Sequence, residues 1–464
     1  MHSESLARQL ARHACAPHTP TKEVSEWMRL LLLDYLAITI GGIERDSAVA
    51  VRSSVSLSPE RTEDKPALVH GTGMYASAQE AALLNGATSH GLELDDTFEE
   101  ASLHPAVVIF PAVLAVADEG GHLANEVLHA ATVGYDVMCE AGVLIGAAES
   151  YGRGFHPTGV AGVIGAAAAV ATLLRLTEDQ TTHAVALAAN LAAGSLEFLS
   201  DGSWTKRLNA GHASASGIRA ARLAQSGFTA PEHAIEGRDG FLNQYGKGLV
   251  AGRSLNLEYG KSALATSIKF YPCCRYMHGN IDLLREIRRE HPGLGLEDID
   301  VIETAVLKAG ATLISDPPER KLIVNTPVDA QFNMPFGAAV ALATGEATVA
   351  QFEDAPRVAN DLGEWLGKVV CYTSDRLEAA FPASWQAEVR VKLKDGTVIE
   401  RFEDAFRGSP SDRATRDQLV DKAAGLVGSD AARALDSSIA ELDGSAPLAG
   451  QLARAAMVEP VRAN

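Results

Sequence analysis

The chain has 464 residues, of which 47% are hydrophobic and 21% are charged, and its formal net charge is −19. These values are typical of a globular chain of two or three domains and argue against disorder. The negative charge argues against nucleic acid or an anionic membrane surface as a partner, because both require a basic protein surface. An anionic ligand would be repelled at long range, so it would need a few cations that converge inside a cleft.

The cysteine content and the apolar runs indicate in which cellular compartment the protein is expected. The five cysteines are odd in number and include no CxxC spacing, so we expect free thiols in a reducing cytoplasm. The adjacent pair Cys273 and Cys274 lacks the spacing of a zinc or iron–sulfur site. Residues 1–14 contain no apolar signal core. The longest apolar run, residues 158–174, is rich in alanine and glycine and is predicted to be a buried helix rather than a membrane span.

Helical spacing of apolar residues dominates the chain up to about Ser262. It predicts helices over residues 25–40, 76–90, 111–119, 124–144, 158–174, 181–193 and 209–224. Thr177 is expected to cap the sixth of these helices, and the pair Gly41 and Gly42 is expected to end the first. Small residues lie on many faces of these helices, which indicates close helix–helix packing around a buried centre.

The pattern changes after Ser262. It predicts a helix over residues 281–290, a strand over 300–307, a helix over 331–343 and a β-hairpin over 388–402 that turns at Asp395 and Gly396. Polar helices follow from Asp412. The predicted fold class is therefore mainly α, with a large all-helical domain (residues 1–262, joined by 411–464) and a smaller α+β domain (263–410). A site at the junction of these domains would suit a small ligand.

One glycine motif is similar to a dinucleotide-binding fingerprint. Gly71, Gly73 and Ala76 form GxGxxA between a short strand and a helix, which would suit an NAD(P)-dependent oxidoreductase. No βαβα alternation follows, and the next acidic residues come after a helix rather than after a second strand. A simple glycine-rich turn is the preferred interpretation.

The densest group of chemically capable residues is the segment His90-Gly-Leu-Glu-Leu-Asp-Asp-Thr97, followed by Ser102-Leu-His-Pro105. It follows an apolar helix, and loops held by rigid helices often carry catalytic residues. Two other interpretations remain open. One is a solvated, acidic helix end, and the other is a metal site, although no HExxH or similar ligand spacing is present.

Three further clusters combine cations with glycine or proline at a helix boundary. They contain His156 before Pro157, then Lys206 and Arg207, and then Lys269, Arg275 and His278 in an aromatic stretch. A helix N-terminus attracts carboxylates through its free N–H groups. A capping histidine and a solvated charge pair are the structural alternatives for the first two clusters.

Together these segments resemble the MmgE/PrpD family, which includes 2-methylcitrate dehydratases, cis-aconitate decarboxylases and an iminodisuccinate epimerase. The matching stretches follow the family's order over most of the chain: AALLNGATSHGLELDDT, SLHP, GFHPTGVAG, SWTKRLNAGHASASGI, GFTAP, GRDGF, KFYPCCRYMHGNID and NTPVDAQFNMPFGAA. The resemblance implies a helical domain with a smaller lid domain, a homodimer, and no required metal or other cofactor. The family pattern usually reads D-x-D-D-T, whereas Glu93 stands at the first acidic position here and reaches one methylene further.

The resemblance also implies the site and the chemistry. The implied catalytic residues are Glu93, Asp96, Thr97, His104, His156, Lys206 and Lys269, and Arg207, Arg275 and His278 are expected to bind substrate. The implied reaction is proton transfer at a carbon next to a carboxylate of a small di- or tricarboxylic acid. A 2-methylcitrate dehydratase-like hydro-lyase is expected. A cis-aconitate decarboxylase-like enzyme, an epimerase of a related acid and an inactive scaffold are the alternatives.

Overall fold

The computed structural model describes residues 4–248 and 254–452, and the side chains of these residues pack into two main hydrophobic cores. The larger core is built from residues 6–268 and 414–452. The second core is built from residues 271–406 with Phe198. The mainly helical fold class with a smaller α+β part is confirmed. The boundaries of the two domains remain a prediction, and residues 453–464 of the predicted C-terminal return lie outside the described residues.

The helices of the larger core surround α8 (Pro157–Leu173), whose residues are almost all buried, as expected of a helix that is apolar on every face. The helices up to residue 264 are α1 (Leu6–Cys15), α2 (Lys22–Gly41), α3 (Asp46–Ser53), α4 (Ala78–Ser89), α5 (Ala106–Gly120), α6 (Ala124–Ile145), α7 (Ala147–Gly152), α8 (Pro157–Leu173), α9 (Glu178–Leu191), α10 (Thr205–Gln225), α11 (Phe241–Tyr245) and α12 (Lys261–Leu264). Helices α6 and α10 both pack against α8. Among the described residues, no helix combines the length and the apolar character needed to cross a membrane.

The second core packs helices against a four-stranded sheet, whose strands are β5 (Ile299–Val306), β6 (Val369–Thr373), β7 (Ala387–Leu393) and β8 (Val398–Glu403). The strand order is β6-β5-β7-β8, and only β5 and β6 are parallel. The remaining helices are α13 (His278–Glu290), α14 (Lys308–Ile314), α15 (Pro327–Gln331), α16 (Met334–Thr344), α17 (Val349–Glu353), α18 (Ala355–Leu362), α19 (Asp375–Ala380), α20 (Arg416–Val427), α21 (Ser429–Ala440) and α22 (Leu448–Leu452). Helices α20 and α21 pack on α2 and so return to the larger core.

The predicted elements are present, with shifted ends. Thr177 caps α9 through a reciprocal capping box with Gln180. The predicted hairpin forms β7 and β8, and Gly396 adopts a positive φ of 93° in its turn. The predicted helix over residues 111–119 begins earlier, at Ala106, because Pro111 is tolerated inside α5. The sequence pattern does not predict α1, β6 or the two-residue strands β3 (Thr97–Phe98) and β4 (Thr266–Ser267).

The GxGxxA motif forms a turn. Strands β1 (Ala67–Val69) and β2 (Met74–Ala76) are antiparallel, and Gly71 and Gly73 have φ values of 77° and 67° in the connection. A dinucleotide-binding unit requires parallel strands joined by a crossover helix. The preferred interpretation as a glycine-rich turn is confirmed. The motif therefore no longer supports the oxidoreductase alternative.

Helices α4 and α10 approach each other through glycine. A Cβ atom placed on Gly211 of α10 would lie 2.1 Å from the backbone oxygen of Leu83, and one on Gly86 of α4 would lie 2.8 Å from Cα of Gly211. Backbone atoms cannot move aside as a flexible side chain can, so the two positions require glycine. The close approach brings the first turn of α10 to the end of α4, where the acidic segment begins.

We predict that Gly211→Ala lowers the free energy of unfolding by about 1–3 kcal/mol, the usual cost of overpacking a tight contact. Gly425→Ala is the matched control, because a Cβ atom there would meet nothing within 4 Å, and a helical glycine-to-alanine change stabilises by about 0.5–1 kcal/mol. Urea denaturation of both variants checks this. Equal effects of the two substitutions would contradict the proposed helix contact.

Candidate active site

A cavity is lined by residues from both parts of the chain. Its polar lining residues are Glu93, Thr97, Ser102, His104, His156, Lys206, Lys269 and Arg275. Its apolar lining residues are Leu196, Phe198, Leu313, Phe332 and Trp385, and Tyr151, Tyr276 and Cys274 complete the lining. Six of the seven predicted catalytic residues therefore line one cavity.

The acidic segment begins where α4 ends, at its C-cap residue His90. The short ladder of β3 and β4 pairs Thr97 with Ser267 and so holds this segment beside the one that carries Lys269. Glu93 and Ser102 both adopt left-handed backbone conformations, with φ values of 55° and 49°. Such conformations cost non-glycine residues about 1–3 kcal/mol each and cluster at functional sites.

Glu93 lies at the centre of a buried ion network. Its Oε1 accepts a hydrogen bond from Lys206 Nζ, and its Oε2 accepts one from Lys269 Nζ at 3.0 Å. Lys269 Nζ also lies 3.6 Å from Asp95 Oδ1. Burial opposes ionisation of Glu93, but the two lysine charges outweigh it and lower the pKa of the carboxyl group. Glu93 is therefore a carboxylate that neutralises part of the lysine charge.

The two lysines respond differently to this network. Burial lowers the pKa of Lys206, which has one close carboxylate. Lys269 is buried as well, but Glu93 and Asp95 together raise its pKa. Because both lysines share Glu93, the direction for Lys269 follows from its second carboxylate. Lys269 is thus the lysine of the cavity lining that stays protonated.

His104 is held by several partners. Its Nδ1 donates to the backbone oxygen of Asp96 at 2.7 Å and lies 3.3 Å from Asp95 Oδ2. A carbonyl oxygen can only accept, so Nδ1 carries the proton and Nε2 has the lone pair. Burial and the two lysine charges lower the pKa of His104 well below the ordinary value, although Asp95 opposes them. His104 is therefore neutral at rest.

His156 is the N-cap residue of α8 and lies on the same wall. Its Nδ1 lies 3.4 Å from the amide nitrogen of Asn209, which can only donate, so the proton of the neutral ring is on Nε2. Burial and the charge of Lys206 lower the pKa of His156. The two imidazoles are 6.5 Å apart between ring centres. They present opposite tautomers, one with an accepting and one with a donating Nε2.

The structure places the three predicted substrate-binding residues differently. Arg275 lines the cavity and donates from Nε to Glu99 at 3.1 Å, while its buried Nη2 has no hydrogen-bond partner among the described residues. His278 lies outside the cavity wall and contacts Arg275 and the backbone of Cys273. Arg207 donates to Ser47 at 2.7 Å rather than into the cavity. The binding roles of His278 and Arg207 remain predictions without a direct contact to the cavity.

Asp96 is buried away from the cavity wall and accepts hydrogen bonds from Ala106 N and Tyr135 Oη, both at 2.9 Å. Burial raises its pKa to about 8, and the charge of Asp95 adds to the effect. Its backbone oxygen, not its carboxyl group, orients His104. The carboxylate that meets the histidines is Asp95, whose Oδ2 also lies 2.8 Å from Nδ1 of His90.

The sequence pattern does not single out Asp95 and His90 as site residues, although both stand inside the acidic segment. Spacing alone does not say which carboxylates of a loop point inward. The aromatic residues Phe198, Phe332 and Trp385 of the cavity lining have no sequence signal at all, because buried aromatic residues also occur throughout ordinary cores. Within the described part of the chain, no three His, Cys, Asp or Glu side chains are arranged to hold a metal ion.

We predict that Asp96→Asn becomes more stable relative to the unsubstituted protein as pH rises from 5 to 8. An unfolded aspartate has a pKa of about 4, whereas the folded group titrates at about 8. In this window the folded state holds a proton that the unfolded state has released, so the free energy of unfolding falls with rising pH. Asparagine has no such proton, and it fits the same space.

Urea denaturation at pH 5 and pH 8 measures this difference. Asp300→Asn, at an exposed position, is the control and should show the same difference from the unsubstituted protein at both pH values. A difference for Asp96→Asn that is equal at pH 5 and pH 8 would contradict a protonated Asp96.

Two family models match the chain. The MmgE/PrpD N-terminal domain matches residues 4–252, and the MmgE/PrpD C-terminal domain matches residues 271–443. Among curated proteins, a cis-aconitate decarboxylase-like protein, oryM of Aspergillus oryzae, is 27% identical over 81% of this chain and 82% of its own length. A cis-aconitate decarboxylase of Aspergillus terreus is 26% identical over 81% of this chain and 80% of its own length.

The human cis-aconitate decarboxylase is 26% identical over 74% of this chain and 71% of its own length. The family matches cover both parts of the chain and every polar residue that lines the cavity except Lys269, which lies between the two matched ranges. The chain belongs to the MmgE/PrpD family and is a lyase of that family.

Proposed function

We propose that this lyase acts without a metal by proton transfer at a carbon next to a carboxylate, and that its reaction is the decarboxylation of a small unsaturated acid of the cis-aconitate type. The observation that carries the proposal is the pair of imidazoles with opposite tautomers, which face the same cavity as two lysines. The names of the relatives, which are cis-aconitate decarboxylases, favour decarboxylation over the dehydration expected from the sequence.

The lysines would bind and polarise the substrate carboxylates. Loss of carbon dioxide leaves negative charge on the substrate, and fixed cations in a buried site stabilise such charge strongly. Lys269 is the better candidate for a permanent cation, because two carboxylates support its charge. Lys206 exchanges its partner Glu93 for a substrate carboxylate more readily, since Glu93 is its one ion-pair partner among the described residues.

In the proposed reaction, the C–C bond to one carboxylate breaks and carbon dioxide leaves. The electron pair of the broken bond forms a new double bond to the neighbouring carbon, and the pair of the original double bond shifts to its far carbon. That carbon forms a new C–H bond with a proton from an imidazolium. His104 and His156 are neutral at rest, but an anionic acid beside them favours the charged ring and draws in a proton from solvent. Asp95 would hold His104 in place during this change.

Dehydration of a hydroxy acid of the 2-methylcitrate type is the second candidate. It needs a base for the proton next to the carboxylate and an acid for the leaving hydroxyl group. The tautomers favour His104 as the base, through its Nε2 lone pair, and His156 as the acid, through its Nε2–H. Thr97, whose hydroxyl lies 3.2 Å from His104 Nδ1, would help to orient the base.

Proton NMR of the EDTA-treated full-length protein with cis-aconitate and 2-methylcitrate tests the reaction. We expect loss of the cis-aconitate vinyl signal with formation of a dicarboxylic acid and carbon dioxide. Turnover of 2-methylcitrate alone would favour the second candidate. Turnover that needs added metal, or none of either acid, would contradict the proposal.

We predict that His104→Ala and Lys206→Ala each lower kcat by about 100-fold or more. A general acid–base group contributes about 10²–10⁴ to the rate, and a group that stabilises developing negative charge contributes about 10²–10³. Exposed residues of the same types, changed in His291→Ala and Lys22→Ala, provide the controls and should keep the activity of the unsubstituted protein. Circular dichroism checks that all four variants fold. Activity near that of the unsubstituted protein in either site variant would remove that residue from the mechanism.

A further inference from the structure

A third imidazole lies against the two that line the cavity. His90, the C-cap residue of α4, is completely buried and is not part of the cavity lining. Its ring centre lies 5.2 Å from that of His104 and 5.6 Å from that of His156, and its plane is nearly parallel to the His156 ring. His90 can therefore act on a reaction in the cavity only through its neighbours.

The neighbour that connects His90 to His104 is the carboxylate of Asp95. Its Oδ2 accepts a hydrogen bond from His90 Nδ1 at 2.8 Å and lies 3.3 Å from His104 Nδ1. Burial opposes ionisation of Asp95, but the two histidines and Lys269 together lower its pKa well below the ordinary value. An ionised carboxylate can only accept hydrogen bonds, so Nδ1 of His90 carries a proton.

The hydrogen bond from His90 orients this carboxylate. It is the one hydrogen bond to the Asp95 side chain among the described residues, since Oδ1 has no hydrogen-bond partner and lies 3.6 Å from Lys269 Nζ. Without the His90 donor, the carboxylate would be free to turn towards Lys269. The distance between Asp95 Oδ2 and His104 therefore depends on His90.

That distance matters to His104. The closer acceptor of its Nδ1–H is the backbone oxygen of Asp96 at 2.7 Å, which is uncharged. The charged Asp95 oxygen is the group that favours the imidazolium form, and His104 must pass through this form as it takes or gives a proton. A displaced Asp95 would leave the charged ring less stable in a buried site.

Packing alone does not explain a histidine at position 90. Burial and the charge of Lys206 lower the pKa of His90, although Asp95 opposes them, so the ring is neutral. Its Nε2 is buried and has no hydrogen-bond partner among the described residues. An unpaired buried nitrogen costs free energy, and an apolar side chain of similar size would avoid that cost. What the apolar side chain would lack is the Nδ1–H donor.

We propose that His90 is a positioning residue for the reaction: its Nδ1–H group holds the Asp95 carboxylate against His104, and this carboxylate stabilises the charged His104 ring during proton transfer. The role rests on the proposed function, because it requires His104 to take part in the reaction. It applies equally to decarboxylation and to dehydration, since His104 can change its protonation in either reaction.

Proton NMR of the full-length protein, isotope-labelled at histidine, tests the contact without any substrate. Charge-assisted hydrogen bonds are short and strong, and their protons resonate far downfield of the amides. We expect one such signal from His90 Nδ1–H and one from His104 Nδ1–H, each identified by its loss when that residue is substituted. Absence of the His90 signal would overturn the proposal.

His90→Leu and His90→Asn form a matched pair for this measurement. The two side chains have nearly the same shape, but only the asparagine amide places a donor where Nδ1–H was. We expect the His104 signal to lie further downfield in His90→Asn than in His90→Leu, because Asp95 is held in the first variant alone. The same position of this signal in both variants would contradict the proposal. If His90→Leu does not fold, His90→Gln replaces it, since its amide lies beyond the Nδ1 position.

Steady-state kinetics tests the consequence, with whichever acid the NMR assay shows to be turned over. We expect His90→Leu to lower kcat about tenfold or more and to leave KM within about twofold, because an acid–base group is impaired while the cavity lining is intact. His90→Asn should recover most of the loss. The matched control is His70→Leu, at a buried histidine that pairs with Tyr35 outside the cavity lining, and it should keep kcat.

A double-mutant cycle shows whether His90 acts through Asp95. Residues that act as a unit are not additive, so His90→Leu combined with Asp95→Asn should lower kcat no further than Asp95→Asn alone. Multiplied effects in the double variant, or equal kcat in His90→Leu and His90→Asn, would overturn the positioning role. Circular dichroism checks that each variant folds.

The two proposals fail in different ways. If neither acid of the NMR assay is turned over but the His104 signal separates His90→Asn from His90→Leu, the proposed reaction is wrong and the contact through Asp95 stands. If cis-aconitate is decarboxylated and these two variants have the same kcat, the reaction stands and His90 has no positioning role.

Discussion

The buried ion network of Glu93, Lys206, Lys269 and Asp95 is the interaction on which the rest of the site depends. Its members come from three distant segments: the loop after α4, the first turn of α10 and the stretch after β4. A buried charge without a partner costs several kcal/mol, so each member requires the others to be in place. The network therefore links the packing of the helices to the geometry of the cavity.

The surrounding structure holds this network in position. Lys422 of α20 pairs with Asp34 of α2 and donates to the backbone oxygen of Leu94 at 2.7 Å, so the C-terminal helices fix the acidic loop from behind. The glycine contact between α4 and α10 brings Lys206 to the same loop. The left-handed conformation of Glu93 is maintained by these constraints, since the isolated loop would not favour it.

The same network sets the protonation of the histidines. Burial keeps His104 and His156 neutral, and it is helped by both lysine charges at His104 and by Lys206 at His156. Asp95 favours the charged form of His104 without reversing that balance. An anion that enters the cavity favours the protonated form of the histidines strongly, because it brings negative charge into a buried site where screening by water is weak. A protein of net charge −19 can thus receive an acid, since the local cations and the titratable rings decide binding inside the cavity.

The sequence by itself determined the helical spacing, the hairpin at Gly396, the cap at Thr177 and the residue types of the polar wall, because each of these follows from local propensity or from a contiguous motif. Only the tertiary structure decided which carboxylates face inward. The tertiary structure buries Asp96 beside Tyr135 and places Asp95 in contact with the histidines. It also directed Arg207 to Ser47 and brought the apolar lining residues together from positions far apart in the chain. The physical reason is that side-chain direction in a loop depends on long-range packing, which no local pattern records.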